Sequence, residues 1–184
     1  ADASSGVPCT PDTLFDIAST SKPITAVAIM QLESEGKLSR KDSIADYLPG
    51  VPKAHRKITI DHLLTHTSGF PRHGPRGSGA DFEAAVAADF SGDVAAKPGK
   101  QHEYWNGGYA LLAGIVEEVS GQTFEDYVRD QVFAPAQLIE TDFIETARVT
   151  NARIARSNSG RNPLATDYIK GWGYRGMGGV LTSA

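Results

Sequence analysis

The sequence predicts an α+β fold that is mainly helical, and three observations carry that expectation. Its middle holds several stretches with apolar residues on i, i+3, i+4 rows, the period of a helix. An extended segment with alternating apolar residues, ending at Phe15-Asp16-Ile17-Ala18, precedes them. From Thr141 onward the helical period is lost, and Gly171, Gly173, Gly176, Gly178 and Gly179 crowd a tail that reads as loops and short strands.

The first clear helix is expected from near Ser19 to Gly36. Pro23 falls in its first turn, where a missing N–H costs little, and Gly36 suits a left-handed stop. Between them Ile24, Ala26, Val27, Ala28, Ile29, Met30 and Leu32 are apolar nearly all round, which predicts a helix with neighbours on several sides. A second helix is expected over Ile60 to His66 with a stop at Gly69, and a short one from Asp81 through Phe90. Gly107 to Ser120 carries Leu111, Leu112, Ile115, Val116 and Val119 on helical rows, with Gly121 as terminator. Thr123 is a good N-cap for the next helix, where Phe124, Tyr127, Val128 and Val132 form one stripe before Pro135.

Composition excludes several classes of function. The 184 residues suit one domain, and 40% hydrophobic with 22% charged residues is ordinary for a globular protein. Net charge is −4 at pH 7 without any basic block, so no nucleic-acid partner is expected. No run approaches 18 apolar residues, so no membrane span is expected, and the opening residues show neither the basic nor the apolar region of a signal peptide. The lone Cys9 has no partner for an intrachain disulfide.

Two constellations carry chemistry. In Ser19-Thr20-Ser21-Lys22, positions i and i+3 of a helix share a face, so Ser19 Oγ and Lys22 Nζ can meet. A serine hydroxyl is a weak nucleophile until a base takes its proton, and a desolvated lysine can be that base because burial lowers its pKa. A helix N-terminus adds partial positive charge near an incipient oxyanion. Composition alone predicts roughly 0.6 chance matches to S-x-x-K. Ser34-Glu35-Gly36-Lys37 is a second match, but it lies at a helix C-terminus, where the dipole has the wrong sign. The other constellation is Tyr104-Trp105-Asn106. In an extended segment Tyr104 and Asn106 point the same way, so a phenol and an amide can converge on one pocket. A packed aromatic and an Asn that caps the following helix would serve the same spacing.

In order and separation, these segments resemble the serine β-lactamase and penicillin-binding-protein superfamily, in the branch of class C β-lactamases, D-aminopeptidases and related carboxylesterases. The similarity runs through Thr10-Pro11-Asp12-Thr13-Leu14-Phe15-Asp16-Ile17-Ala18-Ser19 into Lys22, then Leu32-Glu33-Ser34-Glu35-Gly36-Lys37-Leu38. It continues through Ile58-Thr59-Ile60-Asp61-His62-Leu63-Leu64-Thr65-His66-Thr67-Ser68-Gly69 and Tyr104-Trp105-Asn106-Gly107-Gly108-Tyr109. It closes with Val132-Phe133-Ala134-Pro135 and the tail from Gly176-Met177-Gly178-Gly179 to Ala184.

The resemblance implies a β-lactamase/transpeptidase-like α+β fold, here mainly the helical subdomain with part of the antiparallel sheet domain missing. Residues 1–184 would form one incomplete domain. Residues 1–18 would be a sheet-edge strand segment, 19–140 the mainly helical region, and 141–184 loops with a glycine-rich return towards the sheet. By the same resemblance Ser19 would be acylated and Lys22 would share or relay its proton. Tyr104 would act as general acid or base, and the Ser19 backbone N–H would supply one oxyanion donor. Asn106 would bind the substrate's amide or carbonyl and help fix Lys22, whereas Trp105, where relatives often carry a small residue, is a departure that would narrow or shield the site mouth. Such chemistry calls for no metal and no organic cofactor. The expected partners are a small-molecule or short-peptide substrate and the remaining polypeptide of the same enzyme. A non-catalytic peptide- or peptidoglycan-binding relative and an inactive fragment are the competing expectations.

The superfamily's third motif, a Lys-Thr-Gly or His-x-Gly on a strand, is not found; His73 and His102 lack the pattern. His62 and His66 have the i, i+4 spacing of a zinc pair, but Leu63 stands where a zincin needs Glu, so packing and capping are expected. Gly171-Trp172-Gly173-Tyr174-Arg175-Gly176 satisfies G-x-G-x-x-G without a following helix or a later acidic residue, which argues against a dinucleotide site. No G-x-S-x-G occurs, against an α/β-hydrolase elbow. Arg153, Arg156 and Arg161 read as solvated loop residues.

Overall fold

In a computed structural model, residues 6–71, 81–144, 153–156 and 172–183 are described. The fold is built around one long helix, α4 (Asn106–Ser120). It forms because Leu111, Leu112, Ile115 and Val116 recur on one face, with Ala110 and Ala113 beside them, and all six are fully buried. It ends where the sequence predicts, at Gly121, whose φ of 72° takes the left-handed cap. The four other α-helices of the described residues pack around it: α1 (Lys22–Ser34), α2 (Ile60–Leu64), α3 (Phe82–Asp89) and α5 (Phe124–Val128).

Side-chain caps set three of these starts. Asp81 accepts the Ala84 N–H at 2.9 Å ahead of α3, and Thr123 accepts the Asp126 N–H at 3.2 Å ahead of α5. Thr59 and His62 form a reciprocal capping box on α2, with His62 Nδ1 accepting the Thr59 N–H at 3.1 Å.

Three expectations need adjusting. α1 begins at Lys22, because Ala18–Ser21 form a 3-10 turn rather than α-helix. It is also not enclosed all round: Val27 is 44% and Met30 43% exposed, on a face that none of the described residues covers. α2 stops at Leu64, since the backbone turns left-handed at His66, with φ 56°. Beyond α5 the backbone passes into a π-type turn over Arg129–Phe133 before Pro135.

Among the described residues the sheet has three short strands in the order β1-β3-β2, all antiparallel: β1 (Phe15–Asp16), β2 (Asp142–Phe143) and β3 (Val180–Thr182). Phe15 lies opposite Thr182, and Phe143 opposite Val180. A parallel bridge joins Leu14 to Ile154. Arg153 is tied down there by Glu140, Nη1 to Oε2 2.5 Å, and by the Asp12 carbonyl, so it is not a free loop cation. Arg148, Arg161, Gly171 and His73 lie outside the described residues. The sheet thus pairs the segment before Ser19 with the glycine-rich return, and brings both to the start of α1.

Candidate active site

The site is built where the sheet hands the chain to α1. Ala18 has φ 48°, a conformation rarely adopted by residues with a Cβ, and its N–H donates to Asp16 Oδ1 at 2.8 Å. This bend leaves Ser19 exposed at the mouth of the helix. One turn on, Lys22 is only 5% exposed. Its Nζ donates to Ser19 Oγ at 3.2 Å and to the Met177 carbonyl at 2.9 Å. Thr25 Oγ1 donates to the Gly176 carbonyl at 2.7 Å, so the glycine-rich return is stitched to two positions of α1 about one turn apart.

Tyr104 arrives from the other side. Its hydroxyl donates to Ser19 Oγ at 2.8 Å, and Lys22 Nζ lies 4.9 Å from its ring centroid. Ser19, Lys22 and Tyr104 therefore converge, although 85 positions separate Ser19 from Tyr104.

The electrostatics suit proton transfer. Burial pushes the Lys22 ammonium below its ordinary range, more strongly than the neighbouring Tyr104 pushes it back up. Burial alone would raise the Tyr104 phenol, but its contacts with Lys22 and Ser19 outweigh that and leave it below the usual tyrosine value. A lysine and a tyrosine, both held below their ordinary pKa values, thus flank one hydroxyl.

Two expectations fail here. Asn106 does not fix Lys22: its Oδ1 is buried and accepts no hydrogen bond, and the Met177 carbonyl holds the lysine instead. Trp105 does not narrow the mouth. It is 1% exposed and stacked on Phe70 with centroids 4.2 Å apart, deep in the helical core. The reason is the alternation of an extended segment: if Tyr104 faces the site, its neighbour faces away.

Three residues, Gly176, Met177 and His66, make contacts here that motif reading does not assign. Met177 and Gly176 act through backbone carbonyls, for which residue type gives no signal. His66 packs against Tyr104 with centroids 4.6 Å apart and accepts the Trp105 N–H at Nδ1, 3.2 Å away. Its place in Thr65-His66-Thr67, off the register of the α2 capping box, is the available hint.

An exposed serine held by a buried lysine and a tyrosine, at the junction of an antiparallel sheet and a helical layer, defines the class of serine β-lactamases and penicillin-binding proteins. Residues 1–184 match the family model described as Beta-lactamase, and the chain belongs to that family. It is 37% identical over 137 residues to a putative penicillin-binding protein, PbpX, of Bacillus subtilis, covering 74% of this chain and 34% of that protein. It is 31% identical over 144 residues to a teichoic acid D-alanine hydrolase of Staphylococcus aureus, covering 78% of this chain and 36% of that one. The chain thus spans about a third of the length of these curated relatives. Among solved structures, D-alanine carboxypeptidase AmpC from Burkholderia cenocepacia matches with a TM-score of 0.83 and 26% identity, over 100% of this chain and 50% of that one. A class C beta-lactamase mutant matches in fold, with a TM-score of 0.84 at 20% identity over 99% of this chain and 50% of that chain. The fold is the β-lactamase/transpeptidase type, represented by its helical part and a small antiparallel portion of its sheet.

Proposed function

We propose that this chain carries the nucleophilic centre of a serine hydrolase that works through an acyl-Ser19 intermediate on an ester, amide or β-lactam carbonyl. The observation that carries the reading is the placement of Ser19 Oγ 2.8 Å from the Tyr104 hydroxyl and 3.2 Å from Lys22 Nζ. The names of relatives as a D-alanine hydrolase and a D-alanine carboxypeptidase support acyl transfer as the reaction type.

In this reading the Ser19 proton passes to the neutral Lys22 amine or the Tyr104 phenolate as Oγ bonds to the carbonyl carbon. The carbonyl oxygen takes the negative charge and is met by the Ser19 backbone N–H at the start of the helical segment. Collapse expels the leaving group, which takes a proton from Tyr104, and leaves acyl-Ser19. Tyr104 then removes a proton from water, the water oxygen bonds to the acyl carbon, and Ser19 recovers its proton as the acid departs.

The test uses the protein expressed from its complete gene and a fluorescent fluorophosphonate. Labelling of wild type and its loss in Ser19→Ala is expected; equal labelling of the two would remove the assignment. No label on wild type would favour a binding relative without catalysis. Rates on nitrocefin, p-nitrophenyl butyrate and a D-alanyl peptide, measured side by side, rank the three carbonyl classes.

A further inference from the structure

His66 touches the Tyr104 segment at more points than packing requires. Its carbonyl accepts the Glu103 N–H at 2.8 Å, and its Nδ1 accepts the Trp105 N–H at 3.2 Å. The residues on either side of Tyr104 are thus both bonded to one residue, which leaves the Tyr104 Cα little freedom of its own. The imidazole lies between two phenol rings, 4.6 Å from Tyr104 at 38° and 5.1 Å from Tyr109 at 39°. His66 does this from a left-handed backbone, φ 56°, which costs a residue with a Cβ on the order of 1 kcal/mol.

Resting on the acyl-serine reading above, we infer that His66 is a positioning residue for Tyr104, acting through a neutral imidazole whose Nδ1 grips the Trp105 N–H. A nitrogen that accepts a hydrogen bond carries no proton, so the geometry assigns the hydrogen to Nε2. Protonation at Nδ1 would turn an acceptor into a donor facing a donor, and the grip would be lost. It would also place a second cation near Lys22. The groups that face the ring are Lys22, His102, with its ring 5.8 Å away, and the phenols of Tyr104 and Tyr109. Burial, then the Lys22 charge, then His102 hold the imidazole pKa down at about 4, so the neutral form persists across the neutral range. The bond does not transfer a proton to substrate. It fixes where the phenol oxygen sits, and displacement of a catalytic group by about 1 Å can cost about a hundredfold.

The experiment compares acylation by the fluorophosphonate across pH in wild type, His66→Phe and His66→Asn, again in the protein from its complete gene. Phe keeps an aromatic ring and removes the acceptor; Asn offers Oδ1 in place of Nδ1 and tolerates a left-handed backbone. Labelling of His66→Phe is expected to be at least about tenfold slower, with its pH midpoint displaced, and His66→Asn is expected within about threefold of wild type. Wild-type rates and an unchanged pH profile in a folded His66→Phe would overturn the inference. Should His66→Phe fail to fold, the nitrogen NMR shifts of wild-type His66 decide: the Nε2–H tautomer at neutral pH supports the grip, and the Nδ1–H tautomer overturns it. Failure of wild type to label at Ser19 removes the acyl-serine reading instead, while the tautomer measurement still judges the His66–Trp105 bond.

Discussion

Lys22 sits on a balance between burial, which favours its neutral amine, and Tyr104, which favours its ammonium. Burial wins, so a fraction of the amine is free to accept a proton below the ordinary lysine range. The acylation rate of wild type should therefore rise with pH and level off before an ordinary lysine would titrate; a profile that keeps climbing through that range would contradict this. Lys22→Ala and Tyr104→Phe should each slow acylation or deacylation by at least about a hundredfold, measured by single-turnover kinetics. Helical i, i+3 spacing allows Ser19 and Lys22 to meet, but neither spacing nor alternation links them to Tyr104; the residues of this triad are legible in the sequence through the family resemblance. What holds the lysine is not: the Met177 carbonyl could come from any residue type. Trp105 shows the opposite failure, since alternation alone places it away from Tyr104, while reading it as a departure from the family's usual small residue puts it at the mouth.

Elements meet at two glycines whose substitution tests the packing. At Gly107, the second residue of α4, a Cβ would meet Asp89 Oδ1 at 2.5 Å and the Trp105 ring at 2.6 Å. Gly107→Ala should cost about 1–3 kcal/mol in urea unfolding and disturb the segment that carries Tyr104. At Gly176, φ is 73° and a Cβ would run into the Tyr109 carbonyl, so Gly176→Ala should both destabilise and slow acylation by moving the Met177 carbonyl. Unchanged stability and labelling in Gly176→Ala would refute this coupling. Helix starts and stops are legible from Asp81, Thr123 and Gly121, because caps and left-handed stops are local chemistry. The switch from 3-10 turn to α-helix at Lys22 is not, since it depends on the sheet that feeds it.

Over the whole molecule, α4 is the hub, and Leu111→Ala, at a fully buried site, should cost about 2–5 kcal/mol without altering the pH profile of labelling. Stability should also fall with acid in a defined window. The His66 pKa is about 4 when folded against 6.5 unfolded, so between those values the unfolded chain binds the proton and the folded one does not. The stabilisation is complete above about pH 6.5 and is lost as pH falls towards about 4, worth on the order of 3 kcal/mol in all. Urea midpoints measured across that window should drop in wild type, and less steeply in His66→Asn; parallel curves would contradict the assignment. The exposed Val27 and Met30 stripe is not legible, because apolar periodicity reports what a helix can bury and not whether a partner is present. One consequence lies in the order of events. The bonds that arm Ser19 join Lys22 to Met177, Thr25 to Gly176 and Ser21 to Val180, pairs 155, 151 and 159 positions apart. Contacts of such separation carry the largest loop-closure cost and tend to form late. During synthesis Ser19 leaves the ribosome long before residue 177 exists, so under the proposed acyl-serine reading it cannot be activated until the return segment has been made and has docked.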